Sequence, residues 1–334
     1  MIRLVPMAVG AAAALWWWEV LLGGQLPAVA VGQHPGGELV WRWAGHAVLF
    51  SLLAAATWVD FRERVIPDWI TVPGVLLGLV WAAALPDTLP PIAREVPRSF
   101  AAPLLESDVL GLSGGLRAAV LPAWLGPRPA LTGLAAALVV FGGWWSFCTV
   151  AWHATGWEPW GVRPALPGPS WLVLAGGIAG IAAAWSRGGD HWAGLLTALA
   201  GLAVAASIVW LTRFGASQAL GQEAMGFGDV TLMAMVGAWL GWQPAVLVCC
   251  LGVAIGLVHG LVQLVSNRGN ELPFGPSLCL AAVIVVLLWR PVWERAGPHF
   301  ERPIELALVV GAVIALTGLG LAGWAWLRRR GVAG

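Results

Sequence analysis

Residues 44–85 read AGHAVLFSLLAAATWVDFRERVIPDWITVPGVLLGLVWAAAL. Two apolar runs, 44–59 and 67–85, flank a short charged loop that opens on Asp60 and carries Arg62, Glu63 and Arg64. Each run is close to the roughly 17–25 residues that a helix needs to cross a ~30 Å hydrocarbon core. Lipid offers no water to backbone N–H and C=O groups, so such a run must satisfy them internally as a helix. The second run opens with Pro67, whose missing N–H costs nothing in a first helical turn. The stretch therefore reads as a transmembrane helical hairpin.

The same pattern extends in both directions. Further apolar runs lie at about 7–22, 130–153, 170–186, 190–212, 229–241, 243–265, 276–290 and 303–327, which makes ten with the hairpin. Composition agrees: 59% of the 334 residues are hydrophobic and 10% are charged, against roughly 25% charged in soluble domains. The expected fold is an all-α polytopic transmembrane bundle of about ten spans. The first run follows Arg3 and reads as an uncleaved anchor. Residues 86–128 are Pro-rich and interrupted by Arg and acidic residues, and read as an extramembrane loop insert of irregular or amphipathic structure. The chain thus divides into N-terminal spans (1–85), the insert (86–128), additional spans (129–213) and a C-terminal block (214–334).

Charge and cysteine usage narrow the function. The net charge is +1 and the only basic run is Arg328, Arg329 and Arg330, so nucleic acid is not an expected partner. Cys148, Cys249, Cys250 and Cys279 all lie in apolar runs without a C-x-x-C pair and read as core residues. His46 and His259 lie in spans without metal-ligand spacing and read as packed polar residues. No metal or cofactor is expected. The 24 tryptophans suit membrane interfaces, where the indole N–H meets the headgroups, although Trp16, Trp17 and Trp18 are too central in their run for that.

Carboxylates beside or within spans are expensive, about 2.5–3.5 kcal/mol at the centre of a helix, and are functional candidates by default. Asp60 closes one run, and Asp229 opens another directly after Gly226-Phe227-Gly228. Four spans separate them, an even number, so both acids fall on one membrane face. The arginines beside the spans put that face, and both chain ends, in the cytoplasm. Two carboxyls can cleave a peptide without metal: one takes a proton from water while the other, protonated, polarises the carbonyl. Asp229 near a helix N-terminus suits the anion, and Asp60 near a C-terminus suits the neutral acid.

Three motifs sharpen this. Residues Asp60 to Gly74, with Ile66-Pro67-Asp68 and Thr71-Val72-Pro73, resemble the first motif of the prepilin peptidases (type IV leader peptidases), which are Gly-x-Gly-Asp membrane aspartic peptidases. Glu223 to Val230 resembles the second, and Pro273-Phe274-Gly275-Pro276 a later signature of the same family. The resemblance implies catalytic Asp60 and Asp229. Arg62, Arg64, Pro67, Asp68, Glu223, Gly226, Phe227, Gly228, Pro273, Phe274, Gly275 and Pro276 would contact substrate or support the site. It implies endoproteolytic removal of class III leader peptides from type IV prepilins or type II secretion pseudopilins, at the cytoplasmic face of the bacterial inner membrane. Expected partners are those substrates and membrane lipid.

Three departures stand out. Thr231 replaces the family's usual Lys two residues after the second Asp. Residues 23–43 contain no Cys and are too short for the cysteine-rich module associated with N-methylation, so N-methyltransferase activity is not expected. The aspartates lie 169 residues apart, further than is usual in the family. Alternative readings of the paired acids are a non-catalytic membrane scaffold and a proton- or cation-coupled transporter.

Overall fold

The computed structural model describes residues 4–21, 36–90, 131–149, 170–220, 225–266, 274–300, 302, 304–305 and 307–318. Their helices are α1 (Leu4–Trp16, continued by a π-helical turn Trp17–Leu21), α2 (Gly36–Glu63), α3 (Asp68–Ala84), α4 (Leu131–Thr149), α5 (Ser170–Arg187) and α6 (Gly189–Leu220). After these come α7 (Phe227–Leu240), α8 (Trp242–Ser266), α9 (Phe274–Leu287), α10 (Trp289–Phe300) and α11 (Ala307–Gly318). No strand occurs among the described residues. The chain is an all-α polytopic helical bundle.

The described part of each of the ten expected runs falls on helix. Four of these, within α2, α4, α6 and α8, are long and apolar enough to span by themselves. α9 joins α10 at a 95° bend, while α3, α5, α7 and α11 are shorter apolar helices. The sequence had offered no reason to expect α10, because Arg290, Glu294, Arg295 and His299 interrupt its hydropathy. It is helical because Trp289, Trp293 and Phe300 gather on one buried side, where Trp293 packs on both of the others and Phe300 packs on Trp242. A helix that is polar on one side and aromatic on the other lies along a surface rather than through it.

The expected insert opens with an ordered turn. Pro86–Thr88 form a 3₁₀ turn that caps α3, and Leu89 beyond it is buried against the bundle. Residues 91–130, the first three residues, the segment 22–35 and the terminal arginines lie outside the described residues.

α7 is the axis of the bundle. Every residue from Asp229 to Leu240 is buried, as expected of a helix that is hydrophobic all round. Its neighbours are α6, α3, α8 and α9. Helices in lipid gain little from hydrophobic burial against one another and associate through close packing of small residues. That is how α6 and α7 meet: Gly201 and Gly237 press backbone to backbone, and a Cβ on either would collide with the carbonyl of the other. α3 crosses α7 through Gly74, which receives Met235, and Gly78, which receives Trp239. The Trp239 indole then donates to the Gly74 carbonyl at 2.9 Å.

Among the described residues, several tryptophans sit inside the bundle instead of at an interface. Trp192, Trp242 and Trp289 are wholly buried. Trp16 meets Trp43 edge to face at 5.0 Å, and the Trp43 and Trp18 indoles donate to the carbonyls of Ala12 and Leu287. Lipid supplies no water for an indole N–H, so these backbone carbonyls take its place.

Because the α6–α7 contact admits no Cβ, Gly237→Val should destabilise the detergent-solubilised protein by about 1–3 kcal/mol through overpacking. Thermal unfolding checks this, with Gly143→Ala, where a Cβ meets nothing within 4 Å, as the unchanged control.

Candidate active site

Asp60 lies in the last turn of α2, and its position follows from how that helix ends. Arg64 takes a left-handed conformation, φ 57°, and its amide donates to the Asp60 carbonyl at 2.9 Å. This is an αL cap, here without the customary glycine, which costs roughly 1–2 kcal/mol. The chain continues extended to Pro67, the N-cap of α3, whose carbonyl accepts from the amides of Ile70 and Thr71. The Asp60 carboxyl is thereby turned into the bundle, 6% exposed, with Arg64 in electrostatic reach.

Asp229 stands in the first turn of α7, whose N-cap is Gly226. It is 7% exposed. Among the described residues, a Cβ on Gly226 would meet only the Asp229 carboxyl, at 3.9 Å, and the Gly228 amide, at 4.0 Å. Arg213 on α6 steadies this turn. Its Nε donates to the Met225 carbonyl at 2.8 Å, its guanidinium sits 5.8 Å from the Phe227 ring centre, and its charge acts on Asp229.

One side chain joins the three motifs. Ile66 is buried between Gly228 and Gly275; a Cβ on the first would lie 2.8 Å from the Ile66 Cβ, and on the second 2.7 Å from its Cδ1. A Cβ on Gly275 would also come within 2.8 Å of the Asp60 Oδ2. Glycine is required there because the carboxyl rests against the backbone at the start of α9. Asp60 and Asp229, carried by helices remote in sequence, consequently act on each other electrostatically. Cys279, one helical turn beyond Gly275, is hydrogen-bonded to the Thr57 side chain and lies within electrostatic reach of both acids.

Thr231 is buried and joins α7 to α3. It accepts from the Thr71 hydroxyl at 3.1 Å and faces two acceptors, the Gly228 carbonyl at 3.1 Å and Asp68 Oδ1 at 3.4 Å. The position that departs from the resembled pattern is therefore built into a polar junction between the first and second motifs.

Most of the expected residues converge here. Pro67 and Asp68 start α3; Gly226, Phe227 and Gly228 start α7; Phe274, Gly275 and Pro276 start α9. Arg62 does not join them: it is exposed and its guanidinium lies 4.4 Å from the Trp58 ring centre on its own helix. Glu223 and Pro273 lie outside the described residues. Sequence reading missed Ile66, Arg213, Thr71 and Cys279 as parts of the site. Ile66 and Thr71 stood inside the quoted motif, but nothing in a linear pattern says that an isoleucine fills the space above two distant glycines. Only the rarity of an arginine within a 32-residue apolar helix hinted at Arg213.

Comparison with known proteins addresses the same segment. Residues 168–261 match the Type IV leader peptidase family. This bears out the resemblance read from the motifs, over a stretch that contains Asp229 but neither Asp60 nor Gly275. Proteins named prepilin leader peptidase/N-methyltransferase are similar over comparable lengths. The one from Stutzerimonas stutzeri is 40% identical over 99 residues, 29% of this chain and 32% of that protein. That of Pseudomonas aeruginosa is 40% identical over 86 residues, 25% of this chain and 28% of the relative. In Burkholderia pseudomallei the figures are 30% over 116 residues, 34% and 36%. The chain thus spans about a third of the length of the curated relatives it matches. No solved structure matches it.

Ile66→Ala would leave a void under both glycines and should lower stability by about 2–5 kcal/mol. Thr231→Val, which keeps shape and removes the hydroxyl, should cost about 1–3 kcal/mol by leaving buried partners unmatched. Unfolding of the purified variants measures both, and a loss under 0.5 kcal/mol for Ile66→Ala would contradict its wedge position.

Proposed function

We propose that this protein is a prepilin-type membrane aspartic endopeptidase. It removes class III leader peptides from type IV prepilins or type II secretion pseudopilins, with Asp60 and Asp229 as its dyad at the cytoplasmic face of the bacterial inner membrane. The observation that carries the reading is the approach of Asp60, from outside the family-matched segment, to Asp229 within it, through Gly275 and Ile66. Such a convergence of two otherwise costly acids needs a use.

The chemistry follows from the pair. An ionised carboxyl takes a proton from water as the water attacks the scissile carbonyl, the protonated partner hydrogen-bonds the carbonyl oxygen, and the first carboxyl then passes the proton it took to the leaving amine, which restores the starting pair. The absence of a side chain at Gly226 lets an extended peptide lie against the start of α7. Around the dyad, Phe61, Val65 and Trp69 are exposed. They form an apolar rim against which the transmembrane helix of a substrate rests, turning recognition into an encounter within the plane of the membrane.

Coexpression with a prepilin tests this. Asp60→Asn and Asp229→Asn should each slow leader removal by at least about a thousandfold, as loss of one member of a concerted catalytic pair does. Gly275→Ala should slow it by on the order of a hundredfold by displacing Asp60. Either asparagine variant cleaving at the wild-type rate overturns the dyad. A wild-type protein that leaves every prepilin intact favours the scaffold or transporter reading. The relatives' names join two activities, and the Cys-free segment 23–43 leads us to propose that this chain performs only the first. The mass of the processed pilin N-terminus, without the 14 Da (approximately) of an added methyl group, checks it.

A further inference from the structure

One cavity among the described residues lies away from Asp60 and Asp229. It has a volume of about 500 Å³ and opens between α3, α5 and α6, within the ~300–1,000 Å³ usual for a small-molecule site. Leu76, Leu79 and Val80 of α3 form one wall, Phe141 of α4 the floor, and the glycine-rich side of α5 the other wall. α3 begins at the dyad and ends at Ala84, so the cavity occupies the half of the bundle remote from the catalytic face.

Its two ends differ. The body is apolar, and Cβ atoms on Gly176 and Gly180 would enter open space. Arg187 and His191 stand at the mouth, on either side of the turn that joins α5 to α6 through Gly188 and Gly189. His191 is engaged by the Ala83 carbonyl at 2.8 Å. Arg187 is exposed, and among the described residues it has no hydrogen-bond or ion-pair partner. A turn between two apolar helices lies at the level of the headgroups, where an arginine attracts anionic lipid. An apolar gap that opens to the bilayer is filled by hydrocarbon, because water there would forgo its hydrogen bonds.

We infer that this cavity holds an acyl chain of an anionic phospholipid whose phosphate pairs with Arg187. The inference stands apart from the peptidase reading. An acyl chain matches the apolar walls, and a phosphate matches the unpaired guanidinium, which forms bidentate bonds to such groups. The bound lipid would fill the space between α3 and α5, whose direct contact is slight, and so brace the helix that carries Asp68 and Thr71 against the rest of the bundle.

Native mass spectrometry of the full chain in detergent tests this, with phosphatidylglycerol and phosphatidylcholine as probes. Wild type should retain one phosphatidylglycerol in preference to phosphatidylcholine by about fivefold, the factor that one interfacial arginine contributes. Arg187→Gln should abolish the preference and leave phosphatidylcholine retention unchanged. Gly180→Leu, at a position that lines the cavity and where a Cβ meets nothing within 4 Å, should lose both lipids; Gly176→Leu serves the same purpose if the first variant does not fold. Gly143→Leu, outside the cavity, should behave as wild type. Retention of lipid by the folded cavity-filling variants at the wild-type level overturns the inference, as does an undiminished preference in Arg187→Gln. If a substrate's transmembrane helix cross-links to Gly180→Cys while lipid retention is unaffected, the occupant is a peptide and the inference falls.

Discussion

Ile66 fills the volume that Cβ atoms on Gly228 and Gly275 would occupy, and that exclusion sets how closely α7 and α9 approach the loop after α2. Side chains in a close-packed interior do not slide past one another to compensate for an added methyl group. The two acids inherit their separation from this contact. Asp60 rests on the backbone of Gly275, while Asp229 follows Gly228 directly, so displacing the isoleucine would move both acids. Arg213 and Thr231 supply the polar part of the same constraint by tying the start of α7 to α6 and α3.

A second buried polar group lies at the other end of α2. His46 Nδ1 and Glu19 Oε1 share a 2.7 Å hydrogen bond, both residues being almost fully buried, and Arg42 lies one turn before His46 on the same side of α2 and is buried too. Charged groups in such a setting must be partnered, and removing one partner typically costs about 3–5 kcal/mol. The pair therefore fixes which part of α1 meets α2, a choice that aliphatic side chains alone would leave loosely specified. Glu19 lies in the π-helical turn Trp17–Leu21.

Much of the fold could be read in advance because lipid leaves so few options. A run such as residues 243–265 can only be a helix, and the same-face placement of Asp60 and Asp229 needed only a parity of crossings. The separation of 169 residues did not matter, since helices α3 to α6 return the chain to the same end. What was hidden was of another kind. His46 looked like a packed polar residue because its partner, Glu19, is 27 positions away. α10 was missed because its apolar residues are spaced for one side of a helix, and a hydropathy average is insensitive to that. Thr231 stood out only as a departure from the resembled pattern, whereas its hydroxyl has a place between Thr71 and Asp68. Ile66 was present in the motif, but its meaning depends on two glycines in other helices.

The shortness of α7 and α9 has a consequence for solvent. Each has 14 residues, a rise of about 21 Å, whereas a bilayer's hydrocarbon core measures ~30 Å. At the remote end of α9 the chain turns through 95° into surface-lying α10, which anchors that end near the opposite headgroups. Measured from there, the far tips of both helices stop short of the nearer boundary. Either the bilayer thins around the tips or a funnel of water descends to them. In both cases hydration is drawn locally to the level of the acids, and the same geometry that recesses them brings water within their reach.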